Sequence, residues 1–179
     1  MSLKRSLQQF VGGKRMGALT SGTTAPDISL KDPEGKTATL AAALEKGPAL
    51  VAFFKVSCPT CQFTFPFLER MYENCAGGNI TFLGVSQDGA ADTREFVAEF
   101  GTKFPVVMDE RGYPVSNEYG LTNVPSLFWI RPDGRIAISS VGFSKADLEK
   151  ISAEAARATG QEVKPLFRPG EVVPDYKPG

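Results

Sequence analysis

The order of apolar runs and turn signals predicts an α/β chain: a mixed central β-sheet flanked by helices, with an extra N-terminal β-hairpin. Three observations carry this expectation. The continuous apolar run "PALVAFFKV" (48–56) has the character of a strand buried on both faces. Downstream, strand-like runs alternate with helical patterns, which requires parallel strands joined by crossovers. Near the end, "PSLFWI" and "RIAISSV" flank the turn Arg131-Pro132-Asp133-Gly134, which requires an antiparallel pair.

Each element follows from its own pattern. Residues 1–24 are weakly patterned and read as an N-terminal extension, a short helix followed by a linker. "PDISLKDPEGKTATL" gives two short strands around Asp32-Pro33-Glu34-Gly35, a hairpin turn. After the buried strand, "TCQFTFPFLERMYENC" carries Phe63, Phe67, Leu68, Met71 and Cys75 at helical spacings, and Gly77-Gly78 stops it. "NITFLGVS" is a strand. "ADTREFVAEFG" is a helix, with Asp92 expected at the N-cap and Glu95 completing a capping box. "FPVVMD" is a strand and "YPVSNEYG" a helical turn. "SKADLEKISAEAARATG" is the last helix, capped by Ser144 and ended by Gly160. One domain therefore spans 25–160. The tail, 161–179, contains Pro165, Pro169, Pro174 and Pro178, too many for regular structure, and reads as a surface strap or a disordered segment.

The totals narrow the function classes. At 179 residues the chain holds one domain with a substantial core. Lys plus Arg equals Asp plus Glu at 20 each, so no net field recruits nucleic acid or an anionic membrane. There is no histidine, which excludes Cys–His and Ser–His catalysis and histidine-ligated metals. Three cysteines cannot frame a disulfide-rich secreted module, and no segment is long and apolar enough to cross a bilayer. The first residues do not read as a signal peptide, so the expectation is cytoplasmic, or periplasmic or membrane-anchored if a native leader is missing ahead of them.

The chemistry centres on "AFFKVSCPTCQFTFPF". Cys58 and Cys61 admit three readings. A closed zinc site needs four ligands, and the chain offers one further thiol, Cys75, on an apolar helical stripe; no metal or cofactor is expected. A structural C-x-x-C disulfide closes a very short loop and constrains the unfolded chain little. The redox reading has a physical basis. Cys58 falls where a buried strand gives way to a helix, so free amide N–H groups and the helix dipole favour its thiolate. Pro59 fits the first helical turn, and Cys61, one turn on, can close the disulfide and release a mixed-disulfide partner.

At this point the chain resembles the thioredoxin superfamily, in its redoxin branch of AhpC/TSA-like and TlpA-like proteins. The resemblance runs from about Gly22 to Gly160 and rests on "GTTAPDISLKDPEGKTATL", "LVAFFKVSCPTCQFTFPFL", "FLGVSQD" and "LTNVPSLFWIRPDGRI". It implies a thioredoxin-like fold, with Cys58 the attacking thiol and Cys61 the resolving one. It also places a proline at Pro66 and a cis-proline at Pro125 in "NVPS". The Val124 backbone would then meet an extended substrate segment, and Pro59 and Thr60, between the cysteines, complete the substrate-contacting set. The partners implied are a disulfide-containing protein or small molecule and an external thiol or dithiol electron donor.

This sequence departs from the pattern at two positions. Thioredoxins place a buried acid where Ala52 stands, and TlpA-like proteins often place a glutamate where Thr64 stands. Lys55 is the candidate compensation, either favouring the Cys58 thiolate by its charge or accepting the Cys61 proton when neutral. The rival activity is a peroxiredoxin-like peroxidase reducing peroxides through Cys58. Its pattern wants a proline at Val51 and a Thr or Ser at Lys55, and only Arg131 stands in for its arginine. A non-catalytic thioredoxin-like binding module is the third reading.

Overall fold

The computed structural model describes residues 17–179. The hairpin strands β1 (Ser29–Lys31) and β2 (Thr37–Thr39) are followed by helix α1 (Leu40–Lys46) and the fully buried strand β3 (Ala49–Phe54). Helix α2 (Pro59–Asn74), strand β4 (Thr81–Ser86), helix α3 (Ala90–Phe100) and strand β5 (Val106–Met108) come next. The short helix α4 (Pro114–Glu118) leads into the hairpin of β6 (Ser126–Ile130) and β7 (Ile136–Val141). A two-residue strand, β8 (Phe143–Ser144), precedes helix α5 (Lys145–Thr159), and β9 (Tyr176–Lys177) lies in the tail.

Seven strands form one sheet in the order β2-β1-β5-β4-β3-β6-β7. β3 is its axis, parallel to β4 and antiparallel to β6. Apolar side chains fill both faces of β3, which is why its sequence shows no alternation. Leu50, Ala52 and Phe54 join α2, α3 and α5 on one face; Ala49, Val51 and Phe53 join Leu40, Tyr119 and Phe128 on the other. On the first face Phe54, Phe65 and Phe96 form a compact aromatic cluster with ring centroids 4.5–4.9 Å apart.

The structure departs from the sequence expectations in four places. Helix α1 was not among the expected elements: Thr39 ends β2 and at once caps the helix, its hydroxyl accepting from Ala42 N at 3.1 Å, ahead of three alanines. Asp92 does not cap α3. The helix starts at Ala90 after Gly89, with no side-chain cap, and Asp92 sits inside the first turn, where its charge still faces the positive end of the dipole. In the N-terminal extension, residues 17–24 are bonded to the body, with Leu19 N donating to Tyr119 O and Gly22 N to Ile136 O; the helix expected earlier in 1–24 lies outside the described residues.

The tail packs as a surface strap, one of its two sequence readings, and differs from expectation in carrying a two-residue strand. Despite its prolines, it forms regular contacts. Arg70 on α2 donates to Leu166 O at 2.6 Å and pairs with Glu171 at 2.9 Å. Leu166 is buried, and Phe167 packs on Phe67. β9 then pairs antiparallel with β8, Phe143 opposite Lys177 and Ser144 opposite Tyr176. Prolines limit a strand's length, but two residues between them still pair. The Arg70 guanidinium, helped by the Arg168 backbone N–H, holds the Glu171 carboxyl down at about 2.

The aromatic cluster makes a stability prediction. Phe65→Ala opens a cavity beneath α2 and costs about 3–5 kcal/mol, which lowers the melting temperature by about 10 °C. Thermal unfolding by circular dichroism checks this; a drop below about 2 °C would mean that the cluster is not a packed unit.

Candidate active site

Cys58 occupies the junction that the sequence indicates. β3 ends at Phe54, and α2 begins at Pro59, with Cys58 itself the N-cap in extended conformation. Its sulfur does what a capping oxygen usually does, accepting from the free Cys61 N–H at 3.3 Å. The same sulfur faces Val124, whose carbonyl oxygen accepts the thiol proton at 3.3 Å. Val124–Pro125 is a cis peptide bond. The Cys58 backbone is pinned as well, its N–H donating to Lys55 O and its carbonyl accepting from Gln62 N.

Cys61 lies one helical turn further on and is completely buried, while Cys58 is partly exposed. Both are free thiols. Burial, above all, pushes the Cys61 thiol far above the ordinary cysteine range; the neighbouring Cys58 and the Asp88 charge push the same way, and the Lys55 backbone pulls it down. The pair is therefore asymmetric, one sulfur reachable and the other enclosed. Cys75 is also buried, in the core against α2's apolar neighbours, with its thiol raised by burial.

The two positions that lack an acid carry small, buried residues. Ala52 lies in the middle of β3 against Gly84 and Leu127. Thr64 is fully buried, and its hydroxyl donates back to Thr60 O at 2.7 Å, inside its own helix. The Lys55 ammonium lies over the Tyr113 ring, 5.8 Å from its centroid, and the Lys55 carbonyl accepts the Cys58 N–H.

Asp88 is the residue that sequence reasoning missed. It follows β4 directly, and its carboxylate accepts from Val56 N at 2.7 Å, fixing the loop that carries the cysteines. Its signal was available: "FLGVSQD" ends a strand parallel to β3, and parallel strands deliver their carboxyl ends to one crevice. Next to it a polar recess of about 200 Å³ is lined by Gln87, Tyr113, Ser116, Asn117 and Asn123 and reaches Val124. Thr60 donates to Pro178 O at 2.6 Å. Pro59 is exposed beside Cys58, and Pro125 O accepts from Gly142 N.

Arg131 is not near this site. β6 runs antiparallel to β3, with Ser126 opposite Phe53 at the cysteine end and Ile130 opposite Ala49 at the other. Arg131 follows Ile130, so a strand's length of about 17 Å separates it from the sulfurs, and it is paired with Asp133.

A mixed sheet with a thiol pair at the strand-to-helix junction and a cis-proline opposite it defines the class: a thioredoxin-like redox fold. Residues 21–139 match the AhpC/TSA family, and the chain belongs to it. Thiol-disulfide oxidoreductase ResA of Geobacillus thermodenitrificans (strain NG80-2) is 28% identical over 135 residues, 74% of this chain and 76% of ResA. The thiol:disulfide interchange protein, thioredoxin family protein from Chlorobium tepidum TLS superposes with a TM-score of 0.63 at 28% identity, over 74% of this chain and 95% of that one. Peroxidoxin BcpB from Mycobacterium tuberculosis superposes with a TM-score of 0.68 at 20% identity, over 78% of this chain and 97% of that one, a likeness of fold alone. Among the described residues no helix is long and apolar enough to cross a membrane, and no group of metal-ligating side chains is present.

The buried thiol sets a pH dependence. Below its pKa the thiolate fraction of Cys61 grows about tenfold per pH unit, so its attack on a Cys58 mixed disulfide accelerates continuously from about pH 7 to about pH 9. Stopped-flow release of the second thionitrobenzoate after reaction with an aryl disulfide measures this step; a plateau within that range would contradict the burial of Cys61. Stability runs the other way. Above the ordinary cysteine range the unfolded chain loses a proton that the folded chain keeps, so stability falls as pH rises there.

Proposed function

We propose that this protein is a thiol–disulfide oxidoreductase in which Cys58 is the nucleophile and Cys61 the resolving thiol. The observation that carries the reading is the Cys58 sulfur at the cap of α2, half-exposed, held between the Cys61 N–H and the Val124 carbonyl. The names of the ResA and thiol:disulfide interchange relatives support it.

The steps follow from the asymmetry. The Cys58 thiolate attacks one sulfur of a substrate disulfide, and the other substrate sulfur leaves as a thiolate that takes a proton from water. Cys61, once deprotonated, attacks the Cys58 sulfur; the Cys58–Cys61 disulfide forms and the second substrate thiol departs. Two electrons have passed to the substrate, and an external thiol or dithiol donor returns them to the pair. In a reducing compartment the pair works as a reductant; in an oxidising one the same exchange runs as the local poise dictates.

Val124, Pro125, Pro59 and Thr60 form the rim that a substrate backbone meets. Lys55 holds the Cys58 N–H through its carbonyl, its charge favours the Cys58 thiolate, and its ammonium over Tyr113 gives the polar recess a positive edge. The peroxidase alternative loses support, because Val51 and Lys55 replace the residues it needs and Arg131 sits at the far end of β6.

Insulin-disulfide reduction and hydrogen peroxide consumption, measured with one reductant, test the reading. Wild type turns over insulin but not peroxide. Cys58→Ser abolishes turnover, and Cys61→Ser accumulates a mixed disulfide. Efficient peroxide turnover would replace the reading with the peroxidase, and no activity in a folded protein would replace it with a binding module.

Asp88 acts on this step through its charge, which disfavours the Cys61 thiolate. Asp88→Asn keeps an oxygen for the Val56 N–H, so its effect is chemical. Removing the charge makes the thiolate easier to form, and the Cys61 step speeds up. A step slowed by about a hundredfold would instead make Asp88 the base that takes the Cys61 proton.

A further inference from the structure

The tail does not stop at the outer face of α2. Beyond Pro174 the chain turns back to the cysteine end of the sheet. Lys145 N donates to Asp175 O at 2.9 Å, and β9 then pairs with β8. The Lys177 ammonium lies over the Phe63 ring at 4.8 Å, on the first turns of α2. Thr60, between the two cysteines, donates to Pro178 O, and Asn123 donates to Gly179 O at 3.2 Å. Gly179 lies flat on the Val124 peptide, so close that a β-carbon there would overlap the Val124 carbonyl oxygen. Gly142 leaves similar room, since a β-carbon on it would stand 2.5 Å from Lys177 O. Two glycines, Gly142 and Gly179, thus allow backbone to approach backbone.

That carbonyl is the one that accepts the Cys58 thiol proton. The segment therefore rests on the same rim that surrounds the reactive sulfur. We infer that Asp175–Gly179 is an intramolecular ligand of the surface around Cys58, an extended strap that a substrate backbone has to displace. The proposal rests on the oxidoreductase reading for its purpose, though its geometry stands without it. The rim seats extended backbone, donates a hydrogen bond from Thr60 and holds a cation against Phe63, which fits an extended peptide of basic character as the competing partner.

The strap is weakly held. Its outer side is exposed, with Tyr176 56% exposed, and the ladder to β8 is two residues long. Segments with few buried apolar contacts open locally at small cost. Closure then reduces the reactive fraction instead of abolishing reaction, and removing it raises the apparent rate by the inverse of the open fraction.

Two variants test this. Gly179→Val, in the full chain, forces the end of the strap off Val124 without altering the cysteine loop. A chain ending at Pro174 removes the strap altogether. The readout is the alkylation rate of Cys58 by a bulky maleimide in the reduced protein, together with insulin turnover. Both variants are expected to alkylate about tenfold faster than wild type, with Gly179→Val unchanged in melting temperature. Rates within twofold of wild type, in a folded Gly179→Val protein, overturn the strap. Faster alkylation without insulin turnover in any form supports the strap and counts against the oxidoreductase reading instead.

Discussion

Everything at the reactive end follows from the position of β3. Because it is paired on both edges, parallel to β4 and antiparallel to β6, its last residues have no freedom to move sideways. Three segments converge there as a result. The end of β3 leads to the cysteines, the end of β4 supplies Asp88, and the start of β6 supplies the Val124–Pro125 loop. A sulfur placed at the cap of the helix that leaves β3 has a carbonyl opposite, free amides beneath and a carboxylate holding its loop. None of this depends on a histidine, which the chain lacks.

The two faces of the sheet divide the work. The aromatic face, with Phe54, Phe65 and Phe96, seats α2 and so fixes the direction in which its N-terminus points. The opposite face holds Tyr119 among Phe53 and Phe128, its hydroxyl donating to Pro26 O, and so ties α4 and the segment before β1 to the sheet. Burial pushes the Tyr119 phenol well above its usual range, which marks it as a packing residue rather than a proton carrier.

Much of this was legible in the sequence, because the strongest signals were local. An unbroken apolar run marks a doubly covered strand, and a turn such as Arg131-Pro132-Asp133-Gly134 marks a hairpin. Placing Cys58 needed only the end of that run and the start of the helical pattern after it. What was missed depends on partners distant in the chain. Helix α1 is short, and its cap, Thr39, reads equally well as the end of a strand. Asp88 matters only because β4 lies beside β3. The tail's path depends on Arg70 and Phe67, which lie about a hundred positions earlier in the chain.

The enclosure of Cys61 has a consequence for timing. In the exchange proposed above, the thiol that would free Cys58 from a partner is out of water and slow to lose its proton. Between the first attack and the second, that mechanism makes the protein a covalent clamp, and the burial of one sulfur sets how long it holds. A chain built this way grips its partner before it releases it, and the interval is written into the packing under α2.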